Sequence, residues 1–396
     1  MSNLIKFMDK EEAKRITQVY LETATKLYDK ILNFIANERS SQEDYQDLIS
    51  YIEENEIQKS KTEFSLFLTL ISYLSQDHHR NPNFFKHIEQ LILYSKQTFT
   101  NDELTSIFSC CRPVKLILIK HKMYNKQIVQ QQTETPNDLL NDFARKIVRS
   151  FGLDDDFFLH PAGHDYFDDL YEEIVQDENF NLEGEIGENS TTVCSMIRND
   201  SIREFASFFK INDCLANYQI NKSIFETNCF LIDKNLTLIE YAVFFGSIKI
   251  INYLIWKKVT LSPSLWLFAV HSNNLNVIHL LEDNDVKPVD DDYEKCFEEA
   301  IKCHHNSIAL YILNNKLSQK SVDNLIDYSI RYGNFKLLTS SEIIDHIHFI
   351  FIKLIENGYL NLIKFLVLSK VVIISKAAIT KQKSYFFNEI PKKIVF

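Results

Sequence analysis

Between Thr237 and Ile255 the chain reads TLIEYAVFFGSIKIINYLI, and this stretch restricts the fold more than any other. Apolar residues fall three and four apart on both sides of Gly246, the spacing of one buried stripe per helix. Gly246 stands where a chain leaving a helix takes a left-handed φ, a conformation that glycine adopts without steric cost. The stretch predicts two short helices joined by a tight turn. A hairpin this short cannot bury both of its stripes alone, so it requires neighbours of the same kind.

The pattern recurs. It has three parts: a turn residue, a small residue four before it, and an aliphatic pair four and five after it. Gly246 carries Ala242 and Ile250-Ile251. Asn273 carries Ala269 and Val277-Ile278, and His304 carries Ala300 and Ile308-Ala309. Gly333 follows with Ser329 and Leu337-Leu338, then Gly358 with Leu354 and Leu362-Ile363. Upstream, Asp200 fits more weakly, with Met196 and Glu204-Phe205. The steps between turn residues are 46, 27, 31, 29 and 25. The last four are of the length of helix-pair repeats, and Asn, Asp and His tolerate a left-handed φ better than most residues.

The run Thr237-x-Ile239-x-x-Ala242-x-x-x-Gly246-x-x-x-Ile250-Ile251-x-x-Leu254 resembles the ankyrin repeat. Leu238 stands in the place of that repeat's proline, Glu240 in that of its first histidine and Ser247 in that of its second. The Thr–His hydrogen bond of the family is therefore not expected here. The phrases SIFETNCFL, LIEYAVFFGSIKI, SPSLWLFAVHSNN, IHLLE and AIKCHHNSI further resemble a large ankyrin-like family of parasitic flagellates, known as a domain of unknown function. That likeness covers residues 190 to 315 well and the first 125 more loosely. It implies a repeat scaffold with no chemistry attached.

With only 7 Gly and 7 Pro in 396 residues, the chain has few turns that demand either, which favours an all-helical protein. The net charge of −11 is concentrated. From Ser150 to Ile197 there are thirteen Asp and Glu and no Lys or Arg, so the remainder of the chain is near +2. Without a concentrated basic face, nucleic acid is not expected as a partner. Seven Cys without a C-x-x-C spacing read as reduced, mostly buried thiols. The first fifteen residues lack the apolar core of a signal peptide, and no stretch is long and apolar enough to span a membrane. A soluble, cytoplasmic protein is expected, without a feature that excludes the nucleus.

In chain order, residues 1–126 read as a helical N-terminal region. The pair Leu104–Phe108 and Val114–Ile119 looks like a degenerate repeat. Residues 127–192 read as an acidic linker or insert, partly packed through aromatics such as Phe157 and Tyr171 and mobile towards its end at Gly187–Thr192. Residues 193–369 carry the ankyrin-like repeats. Residues 370–396, with six Lys and one Glu, read as a basic tail or terminal cap. The expected fold is an all-α solenoid of ankyrin-like helix-turn-helix repeats with a helical N-terminal region.

Few residues suggest chemistry. His160, His164 and Asp165, with His121 upstream, resemble the His-Asp doublet of metal-dependent phosphohydrolases, but Pro161 and Gly163 prevent the regular helix that would align them. Cys303-His304-His305 cannot all reach one tetrahedral ion, being adjacent. No phosphate-binding glycine loop or nucleophile elbow occurs, and neither cofactor nor metal is expected. What remains is a repeat surface. Just before the small residue stand Tyr241, Phe268, Glu299, Tyr328 and Lys353; two before the turn stand Phe244, His271, Lys302, Arg331 and Glu356. Of these, Tyr241, Phe268, His271, Glu299, Lys302, Tyr328 and Arg331 are the candidates for binding a protein partner, as aromatic and Arg side chains dominate such contacts. The expected function is a non-enzymatic interaction scaffold. The alternatives are the phosphohydrolase and an adaptor recruiting a ubiquitin ligase or kinase. Far-UV circular dichroism of the purified protein should show predominantly helix; a sheet-dominated spectrum would end this reading.

Overall fold

The computed structural model describes residues 5–7, 10–36, 42–77, 84–108, 111–125, 187–212, 218–223, 225–232, 234–317, 322–340, 343, 345–346, 349–350, 353 and 372–374. These are predominantly helical, with two short two-stranded ribbons. The chain divides into two units, one of residues 1–29, 133–162 and 321–396, the other of residues 30–132 and 163–320.

The second unit opens with the end of α1 (Lys10–Ala36), then α2 (Gln42–Glu54), α3 (Lys61–Asp77), α4 (Phe84–Ser95), α5 (Asn101–Ile107) and α6 (Arg112–Lys120). In α3 the buried residues Phe64, Phe67, Leu68, Ile71 and Leu74 keep helical spacing, and α3 packs on both α5 and α6. α5 begins with a capping box: Thr100 Oγ1 accepts from the Glu103 amide, while the Glu103 carboxylate accepts from the Thr100 amide. The predicted pair Leu104–Phe108 and Val114–Ile119 thus lies in α5 and α6; of the expected turn Cys111-Arg112, Cys111 is the N-cap of α6 and Arg112 already its first helical residue.

Four helical hairpins follow. They are α7 (Thr192–Arg198) with α8 (Ile202–Asn212), α9 (Leu238–Phe244) with α10 (Ile248–Trp256), α11 (Leu265–His271) with α12 (Leu275–Asp283), and α13 (Glu294–Lys302) with α14 (Asn306–Asn315). Their turns fall on the predicted residues, each with a left-handed φ: 47° at Asp200, 67° at Gly246, 49° at Asn273 and 57° at His304. The backbone carbonyl four residues before the turn has a defined role. In the second hairpin the Gly246 amide donates to the Val243 carbonyl at 3.1 Å, and the Ser247 amide donates to the Ala242 carbonyl at 2.9 Å. These are the paired bonds of a Schellman motif, which satisfy the last carbonyls of a seven-residue helix. The same two bonds close α7 onto Ile197 and Met196, and α13 onto Ile301 and Ala300.

The first helices pack in sequence, α7 on α9, α9 on α11 and α11 on α13. Their turns are also tied together. Ser247 Oγ donates to the Ile197 carbonyl at 2.6 Å, and His305 Nδ1 lies 2.8 Å from the Val270 carbonyl; each is the residue after a turn reaching the preceding turn. Asp200 receives the amides of Lys249 and Ile250 at 3.1 and 3.0 Å, so the turn of one hairpin caps the second helix of the next. The 46-residue step between the first two turns holds a ribbon of β2 (Gln219–Ile220) and β3 (Leu236–Thr237), with the buried Phe225–Asn228 between its strands.

In the first unit, α15 (Val322–Arg331) ends at Gly333 with φ 68°, as predicted, but Phe335–Leu338 is a 3-10 turn where a second helix was expected. Tyr28 packs edge-on against Phe335, and its ring leaves no room for a Cβ at Gly333. β1 (Ile5–Phe7) pairs antiparallel with β4 (Val372–Ile374). The β-branched Val372, Ile373 and Ile374, in the stretch read as a basic tail or terminal cap, thus find a strand partner far away in the chain, in the region read as helical. Gly358 and residues 127–186 lie outside the described residues.

The expectation of a mobile Gly187–Thr192 is also overturned. The Gly187 carbonyl accepts from both the amide and the hydroxyl of Thr227, Asn189 Nδ2 donates to the Asn221 carbonyl at 2.7 Å, and Asn189 is buried. The ribbon's own loop supplies these partners, which local composition could not reveal. Gly187 has φ 63°, and a Cβ there would overlap the Phe85 ring; at Gly246 the nearest atom would be Asn274 Nδ2 at an ordinary 3.6 Å. The two glycines therefore differ in cost. Gly246→Val is expected to lose roughly 1–3 kcal/mol through backbone strain, seen as a lower urea midpoint or a second transition. Gly187→Ala adds a steric clash and should lose more than Gly246→Ala; equal midpoints would contradict the packing of Gly187.

Candidate functional site

The register set by the turns decides what the candidate residues meet. The position two before one turn lies against the position just before the small residue of the next hairpin. Arg198 Nη1 donates to Tyr241 Oη at 2.7 Å, and His271 Nε2 lies 2.8 Å from Glu299 Oε1. Between these, Phe230 from the ribbon's loop stacks on Phe244 at 5.9 Å and meets Phe268 edge-on at 5.0 Å. The candidates thus join hairpins to one another. Tyr241 and His271 have no exposed surface and Phe268 has 5%, so the aromatic groove face expected from the sequence is interior. Glu299, Lys302, Tyr328 and Arg331 keep partial exposure.

Tyr241 belongs to a polar knot under the first hairpin. Arg198 also donates to the Asn189 carbonyl and pairs with Glu188 at 3.1 Å. Burial in this knot pushes the Tyr241 hydroxyl far above its ordinary pKa, so it remains a neutral donor and acceptor.

The densest chemistry surrounds His271. Its ring lies against Phe230, with centroids 4.0 Å apart, and stacks on Phe244 at 5.3 Å. Cys303 Sγ sits 3.5 Å from Nδ1 and 4.0 Å from Nε2. Lys302 Nζ reaches the same Glu299 oxygen as the imidazole, at 3.4 Å. Burial alone would raise the Glu299 carboxyl; the His271 hydrogen bond and the Lys302 charge outweigh it and hold the group down at about 2. Lys234, exposed at the edge of the cluster, places its ammonium 3.2 Å from the Phe230 ring centre and 5.5 Å from that of Phe268.

Two features were hidden or passed over in the sequence. Glu240, in the place of the family's first histidine, completes a capping box: it accepts from the Thr237 amide and hydroxyl at 3.0 and 2.9 Å, and its other oxygen accepts from Ser264 of the next hairpin. The T-x-x-E signature was legible. Phe230 and Lys234 carried no such sign, because they come from a loop and not from a hairpin. Elsewhere, Arg331 pairs with Asp327 at 2.6 Å and lies over the Tyr328 ring, while Lys353 reaches Asp327 at 2.8 Å. His121 hydrogen-bonds Glu89. His160, His164, Asp165 and Glu356 lie outside the described residues.

Of the triplet Cys303-His304-His305, each residue faces different partners. His305 is fully packed, and because the Val270 carbonyl only accepts, Nδ1 carries the hydrogen. Burial drives its imidazole down to about 3, against the pull of that carbonyl. An imidazole held neutral in the fold but protonated near 6.5 when unfolded contributes stability that is complete above 6.5 and lost as pH falls towards 3. Urea unfolding in metal-free buffer should therefore weaken on acidification, with His305 adding a slope of about 1.4 kcal/mol per pH unit. In His305→Asn, a side chain already present at the equivalent Asn274 and Asn334, the dependence should flatten; an unchanged slope would place the acid sensitivity elsewhere.

Comparison of the chain with protein-family models, with curated proteins and with solved structures found no match.

Proposed function

We propose that this protein is a non-enzymatic interaction scaffold built on ankyrin-like repeats. The observation that carries the reading is the regular recurrence of one hairpin: four successive turns with left-handed φ, first helices packed one on the next, and turn-to-turn bonds at Ser247 and His305. Such arrays hold side chains from consecutive units in fixed register along one face, an arrangement suited to long, shallow partner surfaces. Lys234, from the ribbon's loop, and Glu299 and Lys302, on α13, keep surface exposure around the contact of Phe230 with His271 and Phe268. Their mixed charge over an aromatic base suits a protein segment that offers both an apolar side chain and a carboxylate. Among the described residues no helix is long and apolar enough to cross a membrane.

Affinity capture from the native cell, with the full chain as bait, tests this. A specific partner is expected, and the double variant Lys234→Glu/Lys302→Glu should lower its recovery at least tenfold with an unchanged helical spectrum. Trp256→Ala, on the opposite helix row, should leave recovery intact. No partner, or loss only with Trp256→Ala, would overturn the assignment of this face.

A further inference from the structure

We propose that His271, Glu299 and Cys303 form a site for a thiophilic divalent cation, zinc first among them, joining the third hairpin to the fourth. One donor atom from each, an imidazole nitrogen, a carboxylate oxygen and the thiol sulfur, all lie within 4.8 Å of one another. They come from α11, from α13 and from the residue capping α13, helices that pack directly together. His271 and Cys303 are buried, while the Glu299 side chain keeps 18% of its surface exposed and marks a way in. A mixed N, O and S set suits zinc or cobalt; magnesium and calcium favour oxygen alone.

The geometry needs small movements. Tetrahedral zinc, with bonds of about 2.0–2.1 Å to nitrogen and oxygen and about 2.3 Å to sulfur, sets N–O near 3.3 Å and N–S near 3.6 Å. The present Nε2–Oε1 separation is 2.8 Å and Nε2–Sγ is 4.0 Å. The sulfur lies nearer Nδ1, at 3.5 Å, so the imidazole must swing to aim Nε2 between oxygen and sulfur. Water completes the fourth position. Loading releases the thiol proton; His271 binds through Nε2 as a neutral imidazole with its hydrogen on Nδ1, and thiolate with carboxylate then balance the ion's two charges. Lys302, three residues along the helix from Glu299 and half-buried, gives up its shared oxygen. Phe230 and Phe244 against the imidazole keep its far side dry.

Cobalt(II) titration of the metal-free full chain tests this directly. One equivalent should bind with a thiolate-to-cobalt band in the near ultraviolet and the visible bands of a four-coordinate ion, both erased by zinc. The bands should persist in Cys229→Ser, which removes an exposed thiol, and vanish in Cys303→Ser. Glu299→Gln, partly at the surface, should bind at least tenfold more weakly with an intact helical spectrum, which keeps the test decisive if Cys303→Ser fails to fold. Absence of the thiolate band in the parent, its survival in Cys303→Ser, its loss in Cys229→Ser or full affinity in Glu299→Gln would each overturn the site. The parent titration requires no partner, so its failure is distinct from failure of the scaffold reading.

Discussion

A backbone dihedral governs the hairpins. Each short first helix ends in a residue of left-handed φ, and that residue turns the chain by a fixed angle while satisfying the carbonyls at the helix end. Seven-residue helices such as α9 and α11 have little intrinsic stability in water. They persist because both flanks are covered by neighbouring first helices, α9 being capped at both ends besides. A change of register at the turn would move Ala242, Ala269 and Ala300 away from the positions where their small side chains let adjacent helices approach.

Polar groups then set the order of the stack. Ser247, His305 and Asp200 each bond to a backbone group of an adjacent hairpin, and Glu240 spans two hairpins through Thr237 and Ser264. Buried and satisfied, such bonds add modest net stability, about 1 kcal/mol each, but leaving one unmade costs more. They therefore discriminate against misaligned stacking more strongly than they stabilise the correct one. The His271–Glu299 pair has the same position as Arg198–Tyr241 one hairpin pair earlier, so one geometric slot has been filled by quite different chemistry.

Much of this was legible in the chain. Asp200, Gly246, Asn273, His304 and Gly333 were all identified as turns, and all have positive φ, because the turn is a local feature with local residue preferences. What was illegible is non-local. Nothing near Tyr241 announces Arg198, 43 residues away, and nothing near His271 announces Glu299, 28 residues on. Reading the two positions as an open groove followed from treating each hairpin alone; the stacking offset that closes them on each other depends on the neighbouring hairpin. Cys303 was judged only with its sequence neighbours for the same reason. The pairing of Ile5–Phe7 with Val372–Ile374 and the anchoring of Gly187 by Thr227 likewise join segments that no short window contains.

The two tryptophans sit ten residues apart in contrasting surroundings. Trp266 is wholly enclosed, its indole N–H held by the Val286 carbonyl at 2.7 Å and its ring edge-on to Tyr293. Trp256, at the end of α10, is 71% exposed, with Lys257 over its ring. The molecule thus carries a pair of intrinsic fluorophores with opposite hydration. The blue-shifted emission of Trp266 reports the integrity of the third hairpin from within, while Trp256 is already wet and changes little when that hairpin opens. A collisional quencher such as iodide separates the two, since it reaches only the outer indole. The fraction of emission that resists quenching then measures how much of the hairpin core stays closed, without any label being added.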